Sequence, residues 1–395
     1  MAEIVLEAIY KVATPLFMAG ADQSRPELRP PSLKGLLRFW YRATSLGRYG
    51  SWEQVQEEEN RLFGSTEGQG AFTIQLAGNE MAEQPPGQIW PGSSGAAYLG
   101  YGVLDGNKGN RRGYIKPASR FTLRLYFTSR RRDTGSEPDT RGLVLSLMAL
   151  GLLGGAGSRS RRGYGSLNLE SLRVNGEEKY QAPTTLEKLK QTIEGFLDSL
   201  GPLPATLPEY SALSKRSRII ISDTASDPID LLEKIGRQML RYRSYGSSHG
   251  GGQEHRLPWG ERAKQLFADD HDNALAVALG RRPEAPPRRV VFGLPHNYYF
   301  RSLGRNVAVK GTSNLERRTS PLLLHIHQVG QQYAAVLTFI PARFLPAGEQ
   351  ILMQTGGKQM RYSVSLDLPQ KPDPDWRVID AFLNSFSPRL EVKIP

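Results

Sequence analysis

Cysteine is absent from the 395 residues, so the chain has no disulfide and no thiolate metal site. Histidine is scarce, six in all, and every one follows residue 248. No apolar run approaches the roughly 20 residues that cross a bilayer; the richest, GLVLSLMALGLLGG, is too short and lies mid-chain. The N-terminal MAEIVLEAIYKV carries acids among alternating apolar residues and reads as a strand, not a signal peptide. A cytoplasmic location is expected. Also missing is G-x-x-x-x-G-K-[ST], and no G-x-G-x-x-G opens a helix, which removes the common nucleotide-binding motifs. Acids are in deficit too: thirty-nine Asp/Glu face fifty-one Lys/Arg, for a net charge of +12. Such a balance favours polyanionic partners.

The excess is concentrated. Between Asp105 and Ser166 stand thirteen Lys/Arg and four Asp/Glu. The same half lays out six elements. EIVLEAIYKV alternates as a strand. PSLKGLLRFWYRATSLG is helical, with Ser32 as cap, Leu33, Leu36, Leu37, Trp40 and Tyr41 as apolar face and Gly47 as stop. AFTIQL and SRFTLRLYFTS are strands, DTRGLVLSLMALGLL a buried helix and RGYGSLNLESLRV a returning strand. That order, βαββαβ, is the ferredoxin-like unit.

Three prolines and no clear period over residues 201–214 place a boundary there. The second half repeats the plan. SRIIISD is a strand and DPIDLLEKIGRQMLRYRSYG a helix capped by Asp227 with Pro228 first. RRVVFGL is a strand, PLLLHIHQV and QYAAVLTFIPA a hairpin across Gly330, DWRVIDAFLNSF a helix and LEVKI a strand. The expectation is an α+β protein of two tandem ferredoxin-like (RRM-like) domains with loop insertions, 1–205 and 206–395.

Two features of the first half suggest an anion. Lys34, Arg38 and Arg42 stack at i, i+4, i+8 on one helix face, and that helix contains no acid to relieve their repulsion. Relief must come from acids elsewhere in the fold or from an external anion. Long basic stems lying over apolar surface with their heads in water are the alternative, but the adjoining Trp40 and Tyr41, as stacking surfaces, favour the anion. The second feature is GGAGSRSRRGYGS, residues 154–166, with five glycines and three arginines. It follows a helix, whose C-terminal end is the negative pole, so Arg159, Arg161 and Arg162 must supply the positive field. Backbone N–H groups freed by glycine would join them, and Tyr164 would offer a ring to a base. Arginine, glycine and an aromatic without a nucleotide motif point to single-stranded nucleic acid.

RPPSLKGLLRFWYRA, LFGS (62–65), GSRSRRGYGS, FGLPHNYYF (292–300) and ERRTSPLLLHI (316–326) together resemble the RAMP superfamily of CRISPR-associated proteins. Within it they look like the first of the six RAMP-module subunits of the type III-B (Cmr) effector complex. The resemblance implies two ferredoxin-like domains, binding of guide RNA and target RNA, assembly with other Cmr subunits in antiviral defence, and no cleavage by this subunit. No cofactor, metal or membrane partner is expected. The stretch 79–118 matches no part of that pattern. Candidate RNA-contacting residues are Lys34, Arg38, Arg42, Arg159, Arg161, Arg162, Tyr164, Arg241, Arg243, His296, Arg301, Arg317 and Arg318.

An alternative is a metal-independent endoribonuclease that trims guide RNA. His249 or His255 in the glycine-rich 244–260 loop, near Tyr245, would then activate a ribose 2′-OH. A third reading is a protein-binding cap whose basic surface meets acidic partners. His325 and His327 share a strand face, as two metal ligands would, although a hairpin surface explains them more simply. Asp269, Asp270 and Asp272 read as a solvated loop or helix cap.

Overall fold

The computed structural model describes residues 4–87, 94–105, 109–127, 138–244, 256, 260–312, 316–356, 361–366 and 374–395. Period-two patterning turns Leu6, Ala8, Tyr10 and Val12 inward along β1 (Val5–Val12). Helix α1 (Pro30–Tyr49) begins earlier than Ser32, which lies inside it. Prolines fill its first two positions, where a missing N–H costs nothing, and Arg29 is the cap residue. Leu33, Leu37, Trp40 and Tyr41 are buried, and Gly50 rather than Gly47 ends the helix, in the left-handed region at φ 76°. Both aromatics are therefore core.

Helix α2 (Trp52–Phe63) was not expected from sequence, because a run of glutamates masks its Val55, Leu62 and Phe63 face. Ser51 caps it by accepting from the Gln54 N–H. Strands β2 (Phe72–Glu80) and β3 (Arg120–Phe127) follow, then α3 (Thr140–Leu153), buried almost all round and capped by Asp139. Strands β4 (Leu167–Val174) and β5 (Glu177–Gln181) and helix α4 (Leu186–Asp198) complete the half. These strands form one antiparallel sheet in the order β5-β4-β1-β3-β2. The returning strand starts at Leu167, so residues 154–166 are loop throughout.

Beyond it come β6 (Arg218–Ala225) and α5 (Pro228–Arg243), where Asp227 accepts from the N–H groups of Ile229 and Asp230. Helix α6 (Ala268–Ala278), β7 (His296–Phe300) and β8 (Arg305–Gly311) follow, then β9 (Leu322–Val329) and β10 (Gln332–Phe339), turned at Gly330. Next are β11 (Ile351–Gly356), β12 (Arg361–Leu366), α7 (Arg377–Asn384) and β13 (Arg389–Glu391). RRVVFGL is not a strand. Residues 288–292 wind into a 3₁₀ turn because the Asp270 carboxylate takes the N–H groups of Arg288 and Arg289, which a ladder would have used.

A second sheet runs β9-β10-β6-β13 and a third β7-β8-β11-β12. The chain divides into two compact units. Unit one is Met1–Arg237, Leu323–Ile340 and Pro388–Pro395; unit two is Gln238–Leu322 and Pro341–Ser387. In unit one the first two sheets share a core: Leu6, Leu125 and Leu150 belong to the same buried cluster as Ile221, Leu323 and Val336. Unit two has its own, built from Val277, Val290, Val307, Val309 and Met353.

Candidate nucleic-acid interface

The cationic stripe of α1 is neutralised from within. Arg38 Nε lies 2.5 Å from one carboxylate oxygen of Glu59, and Arg42 Nε 3.4 Å from the other. Arg38 also donates to Asn60 and to the Gly64 carbonyl. Glu59 is buried on α2, the glutamate-rich helix. Lys34 lies over the Phe72 ring, and burial, with Arg38 nearby, lowers its pKa. Two of the three stripe cations are thus held by an internal acid.

The opposite face of α1 meets the glycine loop. At 100° per residue, Ser32, Leu36 and Phe39 share a face about 200° from Lys34 and Arg38. Arg161 stacks its guanidinium 4.8 Å over Phe39. Stripe and loop arginines therefore do not converge on a single side of the helix.

The glycines of 154–166 serve close packing, not liberated N–H groups. The Ser158 N–H bonds to the Phe17 carbonyl, Gly165 to Pro15 and Ala156 to Gly165. A Cβ on Gly157 would fall 2.5 Å from the Phe17 oxygen, and one on Gly165 2.1 Å from that of Ala156; both glycines have positive φ. Tyr164 offers no face to a base. It is fully buried and donates to the Ala96 carbonyl at 2.8 Å, on a short helix (Ser94–Leu99) inside the 79–118 stretch. The exposed ring near the loop is Tyr101, beside Arg159. Arg162 closes a turn onto the Arg159 carbonyl at 2.8 Å.

Between the loop and α1 opens a cleft of about 350 Å³. Ser32 and Leu36 form one wall, Gly157 and Ser158 another, Arg112 and Gly113 a third, and Phe17 to Ala19 with Gln23 the remainder. No carboxylate is among these residues. Arg112 has no ion-pair partner among the described residues, and the first turn of α1 carries no acid. Sequence reasoning missed Arg112, though a signal was there: RRGY occurs at 111–114 and again at 161–164. The two copies meet at Phe17, whose ring lies 5.3 Å from Tyr114 and 5.8 Å from Tyr164. Arg112 and Gly113, within the stretch 79–118, thus build a wall of the cleft.

In unit two, Arg243 stacks over Phe292 at 4.7 Å and approaches His296 Nδ1 at 3.5 Å. Burial and the guanidiniums of Arg243 and Arg289 hold His296 well below its usual pKa. Arg289 is buried against Asp270, Nε to carboxylate 3.0 Å, so Asp270 is an interior ion-pair partner and not a solvated residue. Arg241, Arg301 and Arg317 are exposed. Arg318 donates to the Arg343 carbonyl, and its backbone pairs with Leu294, joining the GLP and RRTSPL segments.

His325 and His327 are sealed inside unit one, not on a hairpin surface. His325 Nδ1 donates to the Gly154 carbonyl at 2.6 Å, and its Nε2 lies 3.0 Å from His327 Nδ1. Burial pushes His325 down to about 4 and His327 well below its usual value. No group of three metal-ligating side chains occurs among the described residues. His249, His255 and Tyr245 lie outside them.

A family model described as the RAMP superfamily matches residues 9–168. The chain is similar to CRISPR system Cmr subunit Cmr1-2 of Pyrococcus furiosus, 33% identical over 187 residues, covering 42% of this chain and 97% of that one. It is also similar to Cmr1-1 of the same organism, 25% identical over 345 residues, covering 81% and 82%. Among solved structures, that of apo Cmr1 from Pyrococcus furiosus superposes with a TM-score of 0.55 over 98% of each chain at 20% identity.

Proposed function

The chain belongs to the Cmr1 family of the RAMP superfamily, and we propose that it is a non-catalytic RNA-binding subunit of a type III-B CRISPR complex. Its relatives are named as subunits of the Cmr system, which supports assembly with other Cmr subunits. Two ferredoxin-like folds are part of this reading. The first sheet contains β4-β1-β3-β2 and the second runs β13-β6-β10-β9. In each, the fourth strand of a βαββαβ series lies beside the first, and the third separates first from second. Unit two enters as insertions on either side of the β9–β10 hairpin.

The observation that carries the RNA assignment is the acid-free cleft. There Arg112, the glycine loop and the start of α1 come together, in a chain whose net charge is +12. Cations without carboxylate partners are the ones able to exchange counterions for RNA phosphates. Stripe arginines already committed to Glu59 are not. Guide and target RNA are the strands such a complex offers.

Filter binding of the purified chain to single-stranded RNA across a salt series tests the reading. The double variant R112Q/R159Q should bind more weakly, with the log–log salt slope reduced by about two. Retention of no RNA by the native chain at moderate salt would refute the assignment and favour a protein-binding cap. Incubation with repeat RNA in EDTA tests the enzymatic alternative: cleavage abolished by H249A would overturn the non-catalytic part.

A further inference from the structure

We infer that the unit-one cleft seats a single unpaired ribonucleotide, its base against Met18 and Leu36 and its phosphodiester at Arg112. The inference rests on the RNA-binding reading and adds what the cleft recognises. At about 350 Å³ the cleft lies at the lower end of ligand-pocket size, room for one base and its sugar but not for a duplex. One side is apolar. Met18, almost wholly buried in the unit-one core, and Leu36, on the half-buried edge of α1, line it. Around it stand groups that donate and accept in turn: the Gln23 amide and the hydroxyls of Ser32 and Ser158. Such a set suits a base edge or a ribose 2′-OH.

Charge supplies the orientation. Arg112 and the N-terminal turn of a twenty-residue helix face the same space, and no carboxylate lines it. An acidic peptide would answer Arg112 and leave Met18 and Leu36 uncovered. A nucleotide answers both.

The experiment photocrosslinks the full chain to an oligouridylate carrying thiouridine and maps the adducts, alongside equilibrium binding of two variants. Adducts are expected within residues 13–25 or 32–36. L36W, on the half-buried face of α1, fills the cleft. It should weaken binding about tenfold, the worth of a stacked base, with the salt slope unchanged. R112Q should weaken binding and lower the slope by about one. Melting curves of both variants matching the native chain exclude unfolding as the cause. Adducts confined elsewhere, or L36W binding as the native chain does, overturn the single-nucleotide seat while RNA binding stands. Polyglutamate competing as strongly as RNA, and insensitive to L36W, overturns it in favour of a protein partner. A native chain that retains no RNA removes both readings together.

Discussion

Glu59 shows how one carboxylate changes the meaning of three cations. The spacing of Lys34, Arg38 and Arg42 was legible in the sequence, and so was the need for something to offset it. The source was not, because Glu59 is 21 residues from Arg38 and lies on a helix whose polar composition concealed it. R38A should lower the melting temperature, a loss of about 1–2 kcal/mol for a charge-assisted hydrogen-bonded pair. It should leave the salt slope of RNA binding unchanged, and a reduced slope would return the stripe to the interface.

The His325–His327 pair makes a second residue-scale case. Unfolded, such a histidine titrates near 6.5; folded, His325 titrates near 4. Between those values the unfolded chain binds a proton that the folded chain refuses. Stability is therefore full above pH 6.5 and falls as pH drops towards 4, the two histidines contributing as a pair. Thermal melts across that range should show the decline, and the H325Q/H327Q variant should show much less of it. Nothing in PLLLHIHQV revealed the burial, since the covering groups are Asn168 on β4 and Gly154 at the end of α3, both far away in sequence.

At the scale of elements, glycine has opposite meanings in neighbouring places. Gly35 lies in the interior of α1 with open space where a Cβ would go. G35A should stabilise by about 0.5–1 kcal/mol. Gly165 lies in the loop at φ 60°, where a Cβ would overlap the Ala156 carbonyl. G165A should destabilise by about 2–3 kcal/mol or more. Urea unfolding of the two variants checks both signs, and a neutral G165A would mean the loop is not held as described. Composition alone marked 154–166 as special but suggested flexibility, because the strands of backbone it packs against, Pro15 and Phe17, are far away in sequence. Elements with clear periods and caps, such as β1, α5 and the β9–β10 hairpin, were readable. Residues 288–292 were not, since a buried carboxylate overrode their strand propensity.

At the scale of the whole molecule, the two units offer separate readouts. Asp270 and Arg289 are both at or below 5% exposed, and the pair also anchors the turn at 288–292. Removing one partner leaves a buried guanidinium uncompensated, so D270N should cost about 3–5 kcal/mol. Hydrogen exchange should show the lost protection in residues 267–311 and 351–356, with β1 to β4 unaffected. Loss spread evenly over both would mean the units unfold as one.

The route of the chain through these units bears on its biosynthesis. Unit one is assembled from three separated stretches, and its second sheet takes its edge strand from residues 389–391. A nascent chain can fold β1 to β5 early, but β6 must wait beside the ribosome until more than 160 further residues have emerged to supply β13. During that wait Ile220 and Ile221 lack the partners that Glu391 and Leu390 later supply, an edge open to mispairing until those residues emerge.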